Sequence, residues 1–429
     1  MLLQNFNESA AIKRLTNAIF QNWRRTLLSI FIGALLIRGV FILTLQDGFY
    51  FPDSIDYSKA AISLITNGEL GKAYNRPPGY PVFLAGIYMI FGESIFAIRM
   101  VESVMGALLA VIIALIGKRI GGEVVGALAG ILWSIYPIGV FIAGLVYPTG
   151  IMTMLLACGV LCLLPYPQQE LSPKRVFLAG VLWGLAALIV PIVLVTIGAT
   201  SLWLIWRGQV KRLVLVSLLF LGSALTIVPW TIRDFYVYDQ IVAVEPRVVQ
   251  HLPRMLIAPE NVRENKVDAI LKHPGLFAAH FGSEFLHFWR LSPDRIQMDN
   301  QSYREKEHEK DGRVIKKTIF NTGNLIDAVS ILSTGPLFFF AIIGTAAMWF
   351  QQERRRELWL LWATILSVAV GYSIFYTKTR YRIPIEPYII ILSAYGLRET
   401  WRLIAIRFGY DTRKVESRKQ VQVEVKAAG

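Results

Sequence analysis

The residues best placed to do chemistry lie in "FPDSIDY", residues 51–57. Asp53 and Asp56 stand three apart, just past an apolar run. Carboxylates so placed can do either of two jobs. Asp53, behind Pro52, can cap a helix with Asp56 at the capping-box position. Alternatively, a carboxylate there can take the proton of an attacking group. Spacing alone leaves that choice open. Cations follow. In "AYNRPPGY" Arg76 precedes Pro77 and Pro78, whose rings stiffen the backbone beside it. Far along the chain, "TKTRYRIPIEP" offers Lys378, Arg380 and Arg382, again beside proline. A guanidinium grips phosphate through paired N–H groups. Carboxylate and arginines together suit a displacement in which a phosphate leaves and a proton is removed from the group that replaces it.

The elements that must hold these residues are membrane spans. The chain has 429 residues, 54% of them hydrophobic and only 17% charged. That is too little charge for the surface of a soluble protein of this length. About ten runs (8–12) approach the roughly 20 apolar residues that a spanning helix needs. They centre near 27–45, 95–116, 124–142, 147–164, 176–190, 191–206, 213–229, 331–350, 358–376 and 384–401. The expected fold class is an all-α polytopic membrane protein. Residues 1–25 are polar and show no cleavable leader, so the first run should stay as an anchor.

Charge gives the orientation. With the N-terminus inside, the inner segments 1–25, 118–123, 165–175, 207–212, 351–357 and 398–429 carry 22 of the 44 Lys and Arg residues but 9 of the 30 Asp and Glu. Positive charge on one side predicts both termini inside. It also accounts for the net charge of +14 without nucleic acid. The domain reading follows: a cytoplasmic segment 1–25, a core 26–229 with a first outer loop 47–94, an extracytoplasmic segment 230–330, spans over 331–401, and a basic cytoplasmic tail 402–429 facing lipid headgroups. Both outer segments carry helical patterns expected to lie in the membrane interface. The cation-rich stretch at 378–382 falls on the outer side, against the positive-inside tendency, and an anionic ligand at the membrane surface is a sufficient reason for it.

Other reactive residues read as structural. All five histidines, at 251, 273, 280, 287 and 308, lie in the second outer segment. His280, Glu284 and His287 share a helix face, but spacing of that kind is weak ground for a metal site. Cys158 and Cys162, four apart, read as packing residues. Arg38, Arg99 and Glu102 lie within spans, where each costs roughly 3 kcal/mol, so they should face the bundle, with the role of Arg38 left open. Arg99 and Glu102, three apart, are expected to pair with each other. No internal repeat is visible, which weighs against a transporter.

Four stretches, "FPDSIDYSKAAISLITNGEL", "RPPGYPVFLAGIYMIFGES", "PWTIRDFYVYDQIVAVEP" and "RYRIPIEPYIIILSAYGL", resemble the bacterial glycosyltransferase family 39 type. These are relatives of protein O-mannosyltransferases and of aminoarabinose transferases, with the GT-C membrane fold. The resemblance covers about residues 30 to 400. It implies an inverting membrane glycosyltransferase in a bacterial cytoplasmic membrane, with its active site on the outer face. The implied partners are a polyprenyl-phosphate-sugar donor, membrane lipids, and a protein, lipid or glycan acceptor. The family's Asp-Glu-x-x-Tyr pattern maps onto Asp53-Ser54-Ile55-Asp56-Tyr57, which makes Asp53 the catalytic base. Arg76, Arg380 and Arg382 are expected to clamp phosphate, with Asp56, Tyr57, Tyr74, Arg233 and Glu386 as further substrate contacts. Many relatives carry an acidic residue after Tyr-Pro near the start of the fourth span, where this chain has Thr149. No cofactor is called for, and a divalent cation stays open. Two other readings also stay open: a lipid or polysaccharide transporter, and an inactive relative that serves as an assembly partner.

Overall fold

A computed structural model describes residues 22–71, 74, 76–165, 169–206, 212–238, 244, 274–291 and 323–407. Expectations for the N-terminal segment before residue 22, for most of 230–330 including His251, His273 and His308, and for the tail beyond 407 lie outside the described residues.

The described chain is helical throughout, with no strand among the described residues. Helix α1 (Trp23–Leu43) is followed by α2 (Pro52–Asn67), α3 (Gly79–Phe91), α4 (Ile95–Ile135) and the short α5 (Pro137–Phe141). Next come α6 (Thr149–Leu163), α7 (Pro173–Ala187), α8 (Val193–Trp206), α9 (Arg212–Tyr238) and α10 (Pro274–Phe288). The chain ends with α11 (Gly323–Phe350), α12 (Arg355–Ser373), a 3₁₀ turn (Thr379–Ile385) and α13 (Glu386–Arg407). Four helices, α1, α4, α9 and α11, are long and apolar enough to cross a membrane by length and composition alone, and α3, α6 and α8 are shorter apolar helices.

The runs read from the sequence near 95–116 and 124–142 are the two arms of α4. They meet at Gly122, whose φ of 84° only glycine takes without strain. The arms fold back on each other: a Cβ on Gly117 would stand 2.9 Å from the Cα of Gly126. Small residues set the spacing elsewhere too. Gly180 lies on the Leu219 carbonyl and Gly222 on that of Phe177, which joins α7 to α9. Gly344 lies on the Leu392 carbonyl and Gly396 on that of Phe340, which joins α11 to α13. In lipid, where burying apolar surface gives no driving force, such close backbone contact is what holds helices together. Gly396→Leu is therefore expected to push α11 from α13, at about 1–3 kcal/mol or more. A fall in the thermal midpoint of the detergent-solubilised protein checks it, and an unchanged midpoint would contradict the packing.

The intramembrane charges do face inward. Arg38 is fully buried between α1 and α4, where it donates to the carbonyls of Ala34 (3.2 Å), Ser134 (3.4 Å) and Gly139 (3.3 Å). The expected Arg99–Glu102 pair is not made. Arg99 Nε donates to the Gly144 carbonyl (3.0 Å), and its two terminal nitrogens donate to the carbonyls of Gln46 (2.9 Å) and Gly48 (2.7 Å). Glu102 instead accepts from the Tyr80 hydroxyl at 2.7 Å. Loop carbonyls without helical partners compete for the guanidinium, and three of them outbid one carboxylate.

Candidate active site

The carboxylates of "FPDSIDY" enter the fold differently from a cap. The N-cap of α2 is Phe51, Pro52 stands at the first helical position, and no side chain bonds the open amides. Pro52 removes one of those amides and presets φ for the helix. Asp53 lies in the first turn, where the helix dipole favours an anion. Its side chain points instead to a group of cations and aromatics.

Arg76 is the hub. It donates to Asp53 Oδ1 at 3.0 Å and to Asp56 Oδ2 at 2.8 Å. Its guanidinium lies 5.3 Å from the Tyr57 ring centroid. The loop that carries it is braced on both sides. Tyr74 donates its hydroxyl to the Pro77 carbonyl at 2.8 Å, and the Gly79 amide donates to Leu188 O at 2.8 Å, tying the start of α3 to the α7–α8 connection. Gly79 permits that approach, since a Cβ there would meet Leu188 O at 2.9 Å.

Arg380, from the 3₁₀ turn, reaches the other oxygen of Asp53 at 3.8 Å. Three rings surround its guanidinium: Tyr147 at 4.8 Å, Phe51 at 5.2 Å and Tyr381 at 5.6 Å. Tyr147, just before α6, donates its hydroxyl to Asp53 Oδ2 at 3.3 Å. Burial pulls the Arg76 pKa down, but Asp53 and Tyr57 outweigh it and the net shift is upward. Arg380 behaves alike, with Tyr147, Tyr381 and Asp53 opposing burial. Both remain cations at any pH the protein meets.

The fold thus gathers Asp53, Asp56, Tyr57, Arg76 and Arg380 from the expected set and adds Tyr147 and Tyr381. Tyr147 was in plain view in "LVYPTG", but a lone Tyr before Pro carries no signal of its partner. Three expected residues lie elsewhere. Arg382 and Glu386 form a buried pair at 2.5 Å, exposed by only 2% and 1%, and the Arg382 guanidinium lies 5.1 Å from the Phe338 ring centroid of α11. Grouping Arg382 with Arg380 therefore needs correction. Arg233, at the end of α9, binds Asp234 at 2.8 Å and lies over Trp230. In α10, His280 meets the Phe375 carbonyl at 2.9 Å, while Glu284 accepts from the amide (2.6 Å) and hydroxyl (2.7 Å) of Thr377. These contacts seat α10 against the strand of chain that leads to Arg380.

Both carboxylates turn to Arg76, and Thr149, buried at the start of α6, brings no charge. Among the described residues, no three or more His, Cys, Asp or Glu side chains gather.

The all-helical bundle agrees with the polytopic all-α fold expected from the sequence. The family model for dolichyl-phosphate-mannose-protein mannosyltransferase matches residues 75–232, which supports the resemblance read from the sequence. The structure is similar to that of ArnT from Cupriavidus metallidurans bound to undecaprenyl phosphate, with TM-score 0.52 and 14% identity over 91% of this chain and 63% of that one. It is also similar to the archaeal oligosaccharyltransferase AglB from Archaeoglobus fulgidus in complex with an inhibitory peptide and a dolichol-phosphate, with TM-score 0.54 and 15% identity over 93% of this chain and 52% of that one. The chain thus spans only 63% and 52% of the length of these two proteins. No curated protein matches it by sequence.

Proposed function

We propose that the chain is a membrane glycosyltransferase that moves a sugar from a polyprenyl-phosphate-linked donor to an acceptor on the extracytoplasmic face, with inversion at the sugar carbon. The observation that carries this reading is the single carboxylate, Asp53, held by two arginines from distant loops and a tyrosine hydroxyl. With no ligand, the two guanidiniums and two carboxylates balance each other. An arriving phosphate competes for Arg76 and Arg380, whose N–H groups suit its oxygens. As it engages them, Asp53 loses its cation partners and is free to take the acceptor's proton. The bond from sugar to phosphate breaks while the bond from acceptor to sugar forms. The phosphate leaves as an anion neutralised by the arginines. The printed ligands of the similar structures, undecaprenyl phosphate and a dolichol-phosphate, support a lipid-phosphate donor.

Reconstitution tests it: the purified chain in liposomes, given a radiolabelled polyprenyl-phosphate sugar and a mixture of envelope acceptors, should move label off the lipid. No transfer from any such donor would sink the reading. Sidedness has its own test. In a variant lacking Cys158 and Cys162, Asn67→Cys on α2 should react with an impermeant maleimide in intact cells. Lys174→Cys at the start of α7 should react only after permeabilisation. The reverse pattern would refute the outer-face assignment.

A further inference from the structure

We infer that Glu102 and Arg99 are positioning residues for the site: from one helix they fix the turn at 144–147, so that the Tyr147 hydroxyl meets Asp53. The inference rests on the reading of Asp53 as the reacting carboxylate.

The turn is held in a conformation it would not choose. Val146 has φ 54°, the only positive φ outside glycine among the described residues. A β-branched side chain is strained there, and such a residue persists only where its surroundings over-determine it. Here side chains from two other elements do so. Arg99 takes the Gly144 carbonyl and, with its other nitrogens, the carbonyls of Gln46 and Gly48, so one guanidinium joins the end of the α1 loop to the turn. Ser54, next to Asp53, donates its hydroxyl to the Leu145 carbonyl at 3.4 Å. Gly144 itself is pressed against Leu45 and Phe41, with 3.0 Å between a Cβ there and Phe41 Cε1.

Glu102 closes the set. Its side chain is buried, it accepts from Tyr80 at 2.7 Å, and the backbone amides of Val146 and Tyr147 face the same carboxylate. No hydrogen bond of full geometry reaches its Oε2. Two successive amides thus face one buried carboxylate beside the left-handed turn at Val146. The acid also borders an apolar cleft lined by Met105, Leu109 and Ile142. Tyr80 and Tyr147 both pack edge-on against Tyr57, at 5.2 and 6.3 Å between centroids, so the same aromatics register the turn against α2.

Two readouts on the full chain in detergent and liposomes test this. Glu102→Leu removes the acceptor and adds no competing donor. Amide exchange of the 142–148 segment should then quicken about tenfold or more, with residues 107–117 of α4 unchanged. The kcat for lipid-linked sugar transfer should fall about tenfold with donor KM held. In a Tyr147→Phe background the same substitution should cost nothing further in kcat, because the hydroxyl it positions is gone. Tyr80→Phe, which strips only the Glu102 hydrogen bond, should show the same pattern more weakly and serves if Glu102→Leu does not fold. Unchanged exchange at 142–148, faster exchange along the whole chain, or losses that multiply in the Tyr147→Phe background would overturn the inference. Should the wild type transfer no sugar, the exchange arm still decides whether Glu102 holds the turn.

Discussion

Asp53→Asn is expected to cut sugar transfer by about a hundredfold or more, with donor binding retained. Asn keeps the size of Asp and an oxygen able to accept from Tyr147 or Arg76, but it cannot take a proton. The usual confounder, loss of a helix cap, is removed by the structure. Asp53 caps nothing, since Phe51 occupies that place and no side chain bonds the open amides. Folding should therefore survive, and the thermal midpoint should move little, because the Asp53 side chain is 32% exposed and its ion pairs are partly screened. Asp56→Asn is the internal control. Its side chain is 54% exposed and, among the described residues, pairs with Arg76 alone, so transfer should fall by less than about tenfold. Single-turnover kinetics on preloaded donor separate the two. A fully active Asp53→Asn protein would remove Asp53 from the chemistry, and an Asp56→Asn protein with the larger loss would exchange their roles.

Much of the fold was legible because a bilayer imposes simple rules. The apolar runs found in the sequence correspond to α1, the two arms of α4, and α6 to α9 and α11 to α13. The two arms of α4 were legible as separate runs with the charged segment 118–123 between them, and Gly122, where the arms turn, lies in that segment. The site was half legible. Asp53, Arg76 and Arg380 stood out by type and by proline nearby, yet the sequence could not say which way each side chain points. Arg380 and Arg382 show why. Two residues apart in a 3₁₀ turn, they differ by about two-thirds of a turn. One therefore faces Asp53, while the other faces the interior and Glu386. Glu102 was read as half of a helix ion pair because only neighbours in sequence are visible there. Its hydrogen-bond partner, Tyr80, comes from another element.

That split between neighbouring arginines gives the second large effect. Arg76→Ala and Arg380→Ala should each weaken binding of a polyprenyl-phosphate donor by roughly ten- to a hundredfold, since a charge-assisted contact contributes about 1.5–3 kcal/mol. Arg76 should matter more for placing the base as well, because it alone holds both Asp53 and Asp56. Its loss is expected to lower kcat in addition to affinity. Arg380 reaches Asp53 only at 3.8 Å and is held mainly by rings, so its loss should fall on affinity. Arg382→Ala belongs to another category of result. It leaves Glu386, 1% exposed, buried without its cation, and breaking such a pair costs about 3–5 kcal/mol. The protein should lose thermal stability and yield, while the fraction that folds binds donor as the wild type does. Measuring affinity per folded molecule, by titrating lipid phosphate against detergent-purified variants of known thermal midpoint, distinguishes the two kinds of loss. Donor affinity unchanged in both Arg76→Ala and Arg380→Ala would dismantle the phosphate clamp. A stable Arg382→Ala protein with weakened donor binding would put Arg382 back in it.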